Sequence, residues 1–261
     1  MTESVLLIET IGTVARLTLN RPKAMNSLNL AMLAELDRCL IDIEADDRLR
    51  VLVITGAGPA FCAGADLKQV LAGQTLAAGE ADFLDRANLV YGRLRNFSKP
   101  VIAALNGVTM AGGLELAMCA DLIVAAETAT IADAHANFGV YPGAGGAAIL
   151  PRLIPLNMAM YLLLTGKALS ADEMKACGLV CEVHPDARLA EATLALAELV
   201  ATKSPAALRR MKAVARTSAD KSRDDALLHE QVMLRQHLRS FDLQEGLQAF
   251  AERRTPQFQG R

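Results

Sequence analysis

The feature that most constrains this chain is a short, wholly apolar run that recurs with helical stretches between its copies. Val51-Leu52-Val53-Ile54-Thr55 ends at Gly56, and Val101-Ile102-Ala103-Ala104 and Leu122-Ile123-Val124-Ala125-Ala126 have the same character. Runs of this length without alternation are the mark of strands buried on both faces. Between the strands, Leu33, Leu36, Leu40 and Ile43 recur at helical spacing, which predicts a helix with one apolar face over residues 29–44. A second helical stretch covers 81–96. Strands alternating with helices predict an α/β core. Ahead of it, Val5 to Ile8 and Val14 to Leu19 read as a hairpin around Gly12.

The chain changes character after about Val183, where strands give way to Ala/Leu/Glu/Arg-rich segments. Ser204-Pro205 predicts a helix start, Asp242-Leu243-Gln244-Glu245 fits a capping box, and Thr255-Pro256 is expected to stop the last helix. These signals divide the chain into an α/β core, residues 1–195, and a helical region, residues 196–261.

Charge excludes some functions. With 27 Lys+Arg against 29 Asp+Glu, the net charge of −2 exerts no overall pull toward nucleic acid or an anionic membrane. The start Met1-Thr2-Glu3-Ser4 lacks a basic and apolar leader, so a cytoplasmic location is expected. Five scattered cysteines fit buried thiols in a reducing compartment. No Cys/His set has zinc spacing and HExxH is missing, so no metal is expected. The longest uncharged stretch, Ala134 to Pro151, is broken by Pro142 and four glycines and is no membrane helix.

Ligands of α/β proteins collect where glycine-rich turns follow buried strands. In Gly56-Ala57-Gly58-Pro59-Ala60-Phe61, Phe61 holds the third glycine position of a dinucleotide fingerprint, which disfavours a nicotinamide cofactor. Neither a P-loop nor a GxSxG nucleophile elbow is present. Two stretches remain: Cys62-Ala63-Gly64-Ala65-Asp66-Leu67-Lys68 and Asn106 to Glu115. Their small residues leave backbone N–H groups open to a ligand oxygen. Gly112-Gly113 leads into the apolar run Leu114 to Met118, a short helix whose first amides are unpaired. Glu115 follows Gly112 by three residues, which puts its carboxylate within one turn of those amides.

These residues resemble the crotonase superfamily, the enoyl-CoA hydratase/isomerase group. The resemblance runs through Asn20-Arg21-Pro22-Lys23-Ala24-Met25-Asn26, Phe61 to Leu67, Asn106-Gly107, Gly112 to Ala117 and Cys119-Ala120-Asp121. It continues through Pro142-Gly143-Ala144-Gly145-Gly146, Gly178-Leu179-Val180 and the ending from Glu252 to Gly260. It implies a spiral of ββα units followed by a C-terminal helical region that builds a homotrimer or a dimer of trimers. It implies an oxyanion hole from the amides of Ala65 and Gly112, holding the carbonyl of an acyl-CoA thioester. Lys23, Ala24, Ala63, Asp66, Leu67, Lys68 and Phe258 are then expected to bind the CoA moiety, which is part of the substrate; no separate cofactor is implied.

The resemblance also implies Glu115 as a catalytic group. Where hydratases of the family carry a second glutamate, counting back from Pro142 gives His135, in Asp133-Ala134-His135-Ala136-Asn137. Histidine titrates near neutrality and serves as a general acid–base. The expected activity is hydration of an enoyl-CoA. The alternatives are isomerisation, hydrolysis or decarboxylation of a CoA thioester, or a non-catalytic CoA-binding relative. Gln69 to Asp85, with Gly73 and Gly79, is expected to be mobile and to shape the acyl pocket.

Overall fold

The computed structural model describes residues 4–73 and 82–261. The first half of the chain runs β1 (Leu6–Ile11), β2 (Val14–Leu19), α1 (Leu30–Ala45), β3 (Val51–Gly56), β4 (Ala60–Cys62), α2 (Leu67–Gly73), α3 (Phe83–Arg95), β5 (Val101–Leu105), β6 (Val108–Met110) and α4 (Gly112–Ala117). It continues with β7 (Leu122–Ala126), β8 (Thr130–Ala132), α5 (Leu150–Leu153), α6 (Leu156–Thr165), β9 (Leu169–Ser170), α7 (Ala171–Ala176) and β10 (Glu182–His184). The helices α8 (Leu189–Ala201), α9 (Pro205–Ser218), α10 (Arg223–His237) and α11 (Phe241–Glu252) complete it.

Two sheets arise because successive strands part company. A six-stranded sheet has the order β1-β2-β3-β5-β7-β10, and a four-stranded sheet the order β4-β6-β8-β9. The pairs β3/β4, β5/β6 and β7/β8 each send one strand to either sheet, which gives the spiral of ββα units. From β2 to β10 the larger sheet is parallel, with Leu52 opposite Val101 and Ile102 opposite Leu122. The three apolar runs are its centre, and Leu52, Val101 and Ile102 are fully buried. On α1, Met32, Leu33, Leu36, Cys39, Leu40 and Ile43 face the core. Each large apolar side chain so buried contributes about 1.5–3 kcal/mol.

The smaller sheet went unread in the sequence. Its strands are two or three residues long and lie among glycines and prolines, too short for any periodicity to register. Side-chain amides set the turns between the sheets. Asn106 accepts from the Gly56 amide at 2.9 Å and donates to the Gly58 carbonyl at 2.9 Å, while buried Asn26 donates to the Ala60 carbonyl at 2.6 Å.

Ser204 caps α9 as expected, accepting from the Ala207 amide, and Pro205 follows at the first helical position. Asp242 does not cap α11: Ser240 does, two residues earlier, and Asp242 lies inside the helix. Its buried carboxylate instead binds the Ser204 hydroxyl and the amides of Gln259 and Gly260. The last helix ends at Glu252 on Arg253, with φ +56°, before Thr255-Pro256 is reached. Asp121 ties α9 to the core, accepting from Lys212 at 2.6 Å and from Arg216 at 2.8 Å. The division read at residue 195 falls inside α8, which packs against the larger sheet. Of the cysteines, Cys39, Cys62 and Cys119 are buried, whereas Cys181 is exposed, against expectation. Of the stretch Gln69 to Asp85, residues 74–81 lie outside the described residues, and its flanks are the end of α2 and the capped start of α3.

Candidate active site

Ala65 lies in the turn after β4. The chain on either side of its amide is clamped to Leu28: the Leu28 amide donates to the Gly64 carbonyl and the Asp66 amide to the Leu28 carbonyl, each at 2.8 Å. Between those bonds the Ala65 amide is turned away, and among the described residues it donates to nothing. Arg21 fastens the outer end of this turn, with Nη2 3.0 Å from the Asp66 carboxylate.

Gly112 opens α4. The preceding Ala111 has φ +49° and ψ −122°, a conformation costly for a residue with a side chain, and such strain concentrates where geometry serves function. As the first residue of the helix, Gly112 has an amide with no intrahelical acceptor, and none is found among the described residues. A Cβ built on Gly112 would stand 3.5 Å from the Ala65 nitrogen, so the two free amides lie side by side. The next residue, Gly113, touches the backbone of Cys62 so closely that any side chain would collide with its carbonyl. That contact seats α4 on β4 and sets the separation of the two amides.

Glu115, one turn on, is 4% exposed. Its Oε1 accepts from the Ala144 amide at 2.8 Å and the Gly146 amide at 2.9 Å, while Oε2 takes no hydrogen bond from a described residue. One oxygen anchors the carboxylate and the other is unbonded. Arg95 on α3 donates to the Ala144 carbonyl at 2.9 Å, holding the same residue through its next peptide group.

His135 follows β8 in a single 3-10 turn, and its Nδ1 lies 3.0 Å from Asp133 Oδ1. Burial pushes the imidazole down, but its bond to Asp133 and the charges of Asp133 and Glu115 outweigh that and leave it above its usual value. Asp133 is buried, and a Cβ on Gly146 would come within 2.5 Å of its Oδ2. Gly146 therefore sits between the two carboxylates, its amide on Glu115 and its Cα against Asp133. The other histidines, His184, His229 and His237, are bonded to Glu182, Lys221 and Ser240 in the C-terminal third, as expected of surface or packing residues. Burial pushes the Cys62 thiol up to about 12, so it stays protonated at neutral pH.

Of the residues read as CoA-binding, Lys23, Leu67 and Lys68 are exposed, and Ala24, Ala63 and Asp66 are half-buried. The bond from the Ala63 amide to the Met25 carbonyl, 3.0 Å, joins their two loops. Asp66 is taken up by Arg21. Phe258 is not brought to this group within the chain. Its ring lies over Gly246 of α11 and its carbonyl accepts from Arg50. Arg50 precedes β3 whereas the site loops follow it, and a strand of that length spans about 20 Å. The reading also missed Tyr91 on α3, which is buried and donates its hydroxyl to the Gly112 carbonyl at 2.7 Å. Only its place on the apolar face of a helix shows in the sequence, and that marks a packing residue.

The family model described as Enoyl-CoA hydratase/isomerase matches residues 9–261. The chain belongs to this family. A "Probable enoyl-CoA hydratase" of Rhizobium meliloti (strain 1021) is 38% identical over the whole of both chains. The "1,2-epoxyphenylacetyl-CoA isomerase" of Escherichia coli (strain K12) is also 38% identical, over 95% of each. Among solved structures, the enoyl-CoA hydratase from Bacillus anthracis superposes with a TM-score of 0.92 at 35% identity, covering 98% of this chain and 100% of that one. The match runs from within β1 to the end of the chain and takes in Ala65, Gly112 and Glu115. No helix among the described residues is long and apolar enough to cross a membrane.

Proposed function

We propose that the protein hydrates trans-2-enoyl-CoA thioesters. The thioester oxygen accepts from the amides of Ala65 and Gly112, two fixed dipoles that stabilise the enolate without reorganising; loss of one such donor costs roughly 3–4 kcal/mol. Glu115 takes a proton from water through its free Oε2 as the water oxygen bonds to Cβ. His135 in its cationic form gives its proton to Cα. The observation that carries this reading is the division of labour within the Glu115 carboxylate, one oxygen held by two amides and the other unbonded, on the helix that Gly112 opens.

The exposed ammonium groups of Lys23 and Lys68 suit CoA phosphates. CoA enters and leaves as part of the substrate, and the reaction needs no further cofactor. Self-association into a homotrimer or a dimer of trimers is supported by the apolar side chains left in solvent over the second half of the chain, among them Tyr141, Leu156, Leu164 and Phe250. In such an assembly Phe258 reaches CoA only across a subunit boundary. A cytoplasmic role in fatty-acid metabolism fits this chemistry, with no nucleic-acid or membrane partner.

A second reading is favoured by His135 where the family's hydratases carry glutamate: the same enolate chemistry used for isomerisation, hydrolysis or decarboxylation. Turnover of purified protein on short, medium and long enoyl-CoAs, with the products identified, separates the two. Crotonyl-CoA should yield the 3-hydroxyacyl thioester, and His135→Ala should lower its kcat by roughly 100-fold or more. A rearranged acyl-CoA or free CoA as the main product would replace the hydratase assignment.

A further inference from the structure

Among the described residues, one side-chain oxygen or nitrogen wholly out of solvent has no hydrogen-bond partner: Oδ2 of Asp133. Asp133 is 1% exposed, and its other oxygen meets His135 Nδ1 at 3.0 Å. A carboxylate held out of water with half its acceptor capacity unused is costly unless a cation compensates it. Among the described residues, the group bonded to it that can carry positive charge is the His135 ring, whose side chain is itself 10% exposed. Between the two, Ala134 is buried with φ +59°, a left-handed conformation that residues with a side chain rarely adopt. The chain is turned at a cost in backbone strain, and the turn brings the carboxylate and the ring together.

We propose that Asp133 is a positioning residue, which binds the Nδ1–H of His135 and so fixes Nε2 as the nitrogen presented to the substrate. This deepens the hydratase reading and rests on it. The acid–base group opposite Glu115 is then a carboxylate–imidazole pair standing where the family's hydratases use a single carboxyl group. The proton balance is closed. Nε2 gives its proton to Cα while Glu115 Oε2 receives one from the attacking water, so the cycle leaves a protonated Glu115 and a neutral imidazole that keeps its Nδ1–H on Asp133. Solvent returns the proton from Glu115 to Nε2 after product leaves. The charges acting on the ring are Asp133 from its own stretch and Glu115 from α4, both of which favour the cation.

The test uses the full-length protein, with the four histidines observed by nitrogen-15 NMR across a pH titration and His135 assigned by its loss in His135→Gln. In the neutral ring the proton should lie on Nδ1. Asp133→Asn keeps an acceptor for that proton but removes the charge. Its His135 midpoint should move to lower pH, and the alkaline limb of its kcat profile on crotonyl-CoA should move with it. At pH 8 kcat should fall about tenfold while KM changes by less than about twofold. A neutral ring protonated on Nε2, or a midpoint unmoved by Asp133→Asn, overturns the pairing. A moved midpoint with an unmoved kcat profile overturns the positioning role. Should the midpoint move while wild type turns crotonyl-CoA into something other than the hydrated thioester, the pairing is supported and the hydratase assignment alone falls.

Discussion

Tyr91 holds Gly112 by a 2.7 Å hydrogen bond from its phenolic hydroxyl to the glycine carbonyl, across the interface between α3 and α4. Burial pushes the phenol's pKa well up, so the hydroxyl remains a donor throughout the working pH range. Tyr91→Phe keeps the ring and removes that donor. Stability measured by urea unfolding should fall by about 1–2 kcal/mol. The carbonyl lies in the peptide that follows Gly112 and shares only its Cα with the amide, so releasing it frees the first turn of α4 to shift, and kcat should drop several-fold with KM little changed. An unaltered kcat would show that the seating of Gly113 on Cys62 orients the oxyanion amide unaided.

Glu115→Gln should abolish turnover with the fold intact, because the amide oxygen can still accept from Ala144 and Gly146. What is lost is the proposed base. Loss of kcat by roughly 100- to 10,000-fold is expected, with CoA-thioester binding within a few-fold of wild type. Steady-state kinetics with calorimetric binding checks this; retention of more than about a tenth of kcat would remove Glu115 from the mechanism.

Gly146→Ala adds one methyl group where a Cβ would approach Asp133 Oδ2 to 2.5 Å. The same residue's amide anchors Glu115, so relief of the clash disturbs both sides of the site at once. About 1–3 kcal/mol of destabilisation is expected, with a loss of kcat larger than the stability change explains. If thermal unfolding and kcat are both unchanged, the Asp133 carboxylate moves freely and is not held as described.

Asp242 binds the start of α9 and the C-terminal tail to α11. Burial alone would raise its pKa, but bonds from Ser204, Gln259, Gly260 and Ala206 outweigh this and hold it below the usual carboxylate value. A carboxyl group depressed in the folded state stabilises fully above its unfolded pKa, and the contribution is lost as pH falls through the folded value. Asp242→Ala should cost about 2–4 kcal/mol at pH 7. Its deficit relative to wild type should shrink in urea titrations carried below pH 4. A deficit independent of pH would assign Asp242 to packing instead.

The amino-acid sequence by itself determined what neighbours within a turn or a strand decide. The apolar runs at Val51, Val101 and Leu122 are strands because nothing in them is polar enough to face water. Asn29 and Ser204 cap helices because their side chains bond amides three residues on. Glu115 lies one turn beyond Gly112 by helical geometry alone. Tertiary structure decided the rest. The small sheet escaped notice because two- and three-residue strands carry no period, and only pairing across the spiral makes them strands. Ser240 displaced Asp242 as a cap because Asp242 had better partners in Ser204 and the tail, far away along the chain. The adjacency of the Ala65 and Gly112 amides, the grip of Ala144 and Gly146 on Glu115, and the hydroxyl of Tyr91 on Gly112 all depend on the close approach of distant backbones. Such contacts are made by glycine, alanine and peptide groups, which have little or no side chain from which to read a distance, so packing alone shows how closely those residues meet.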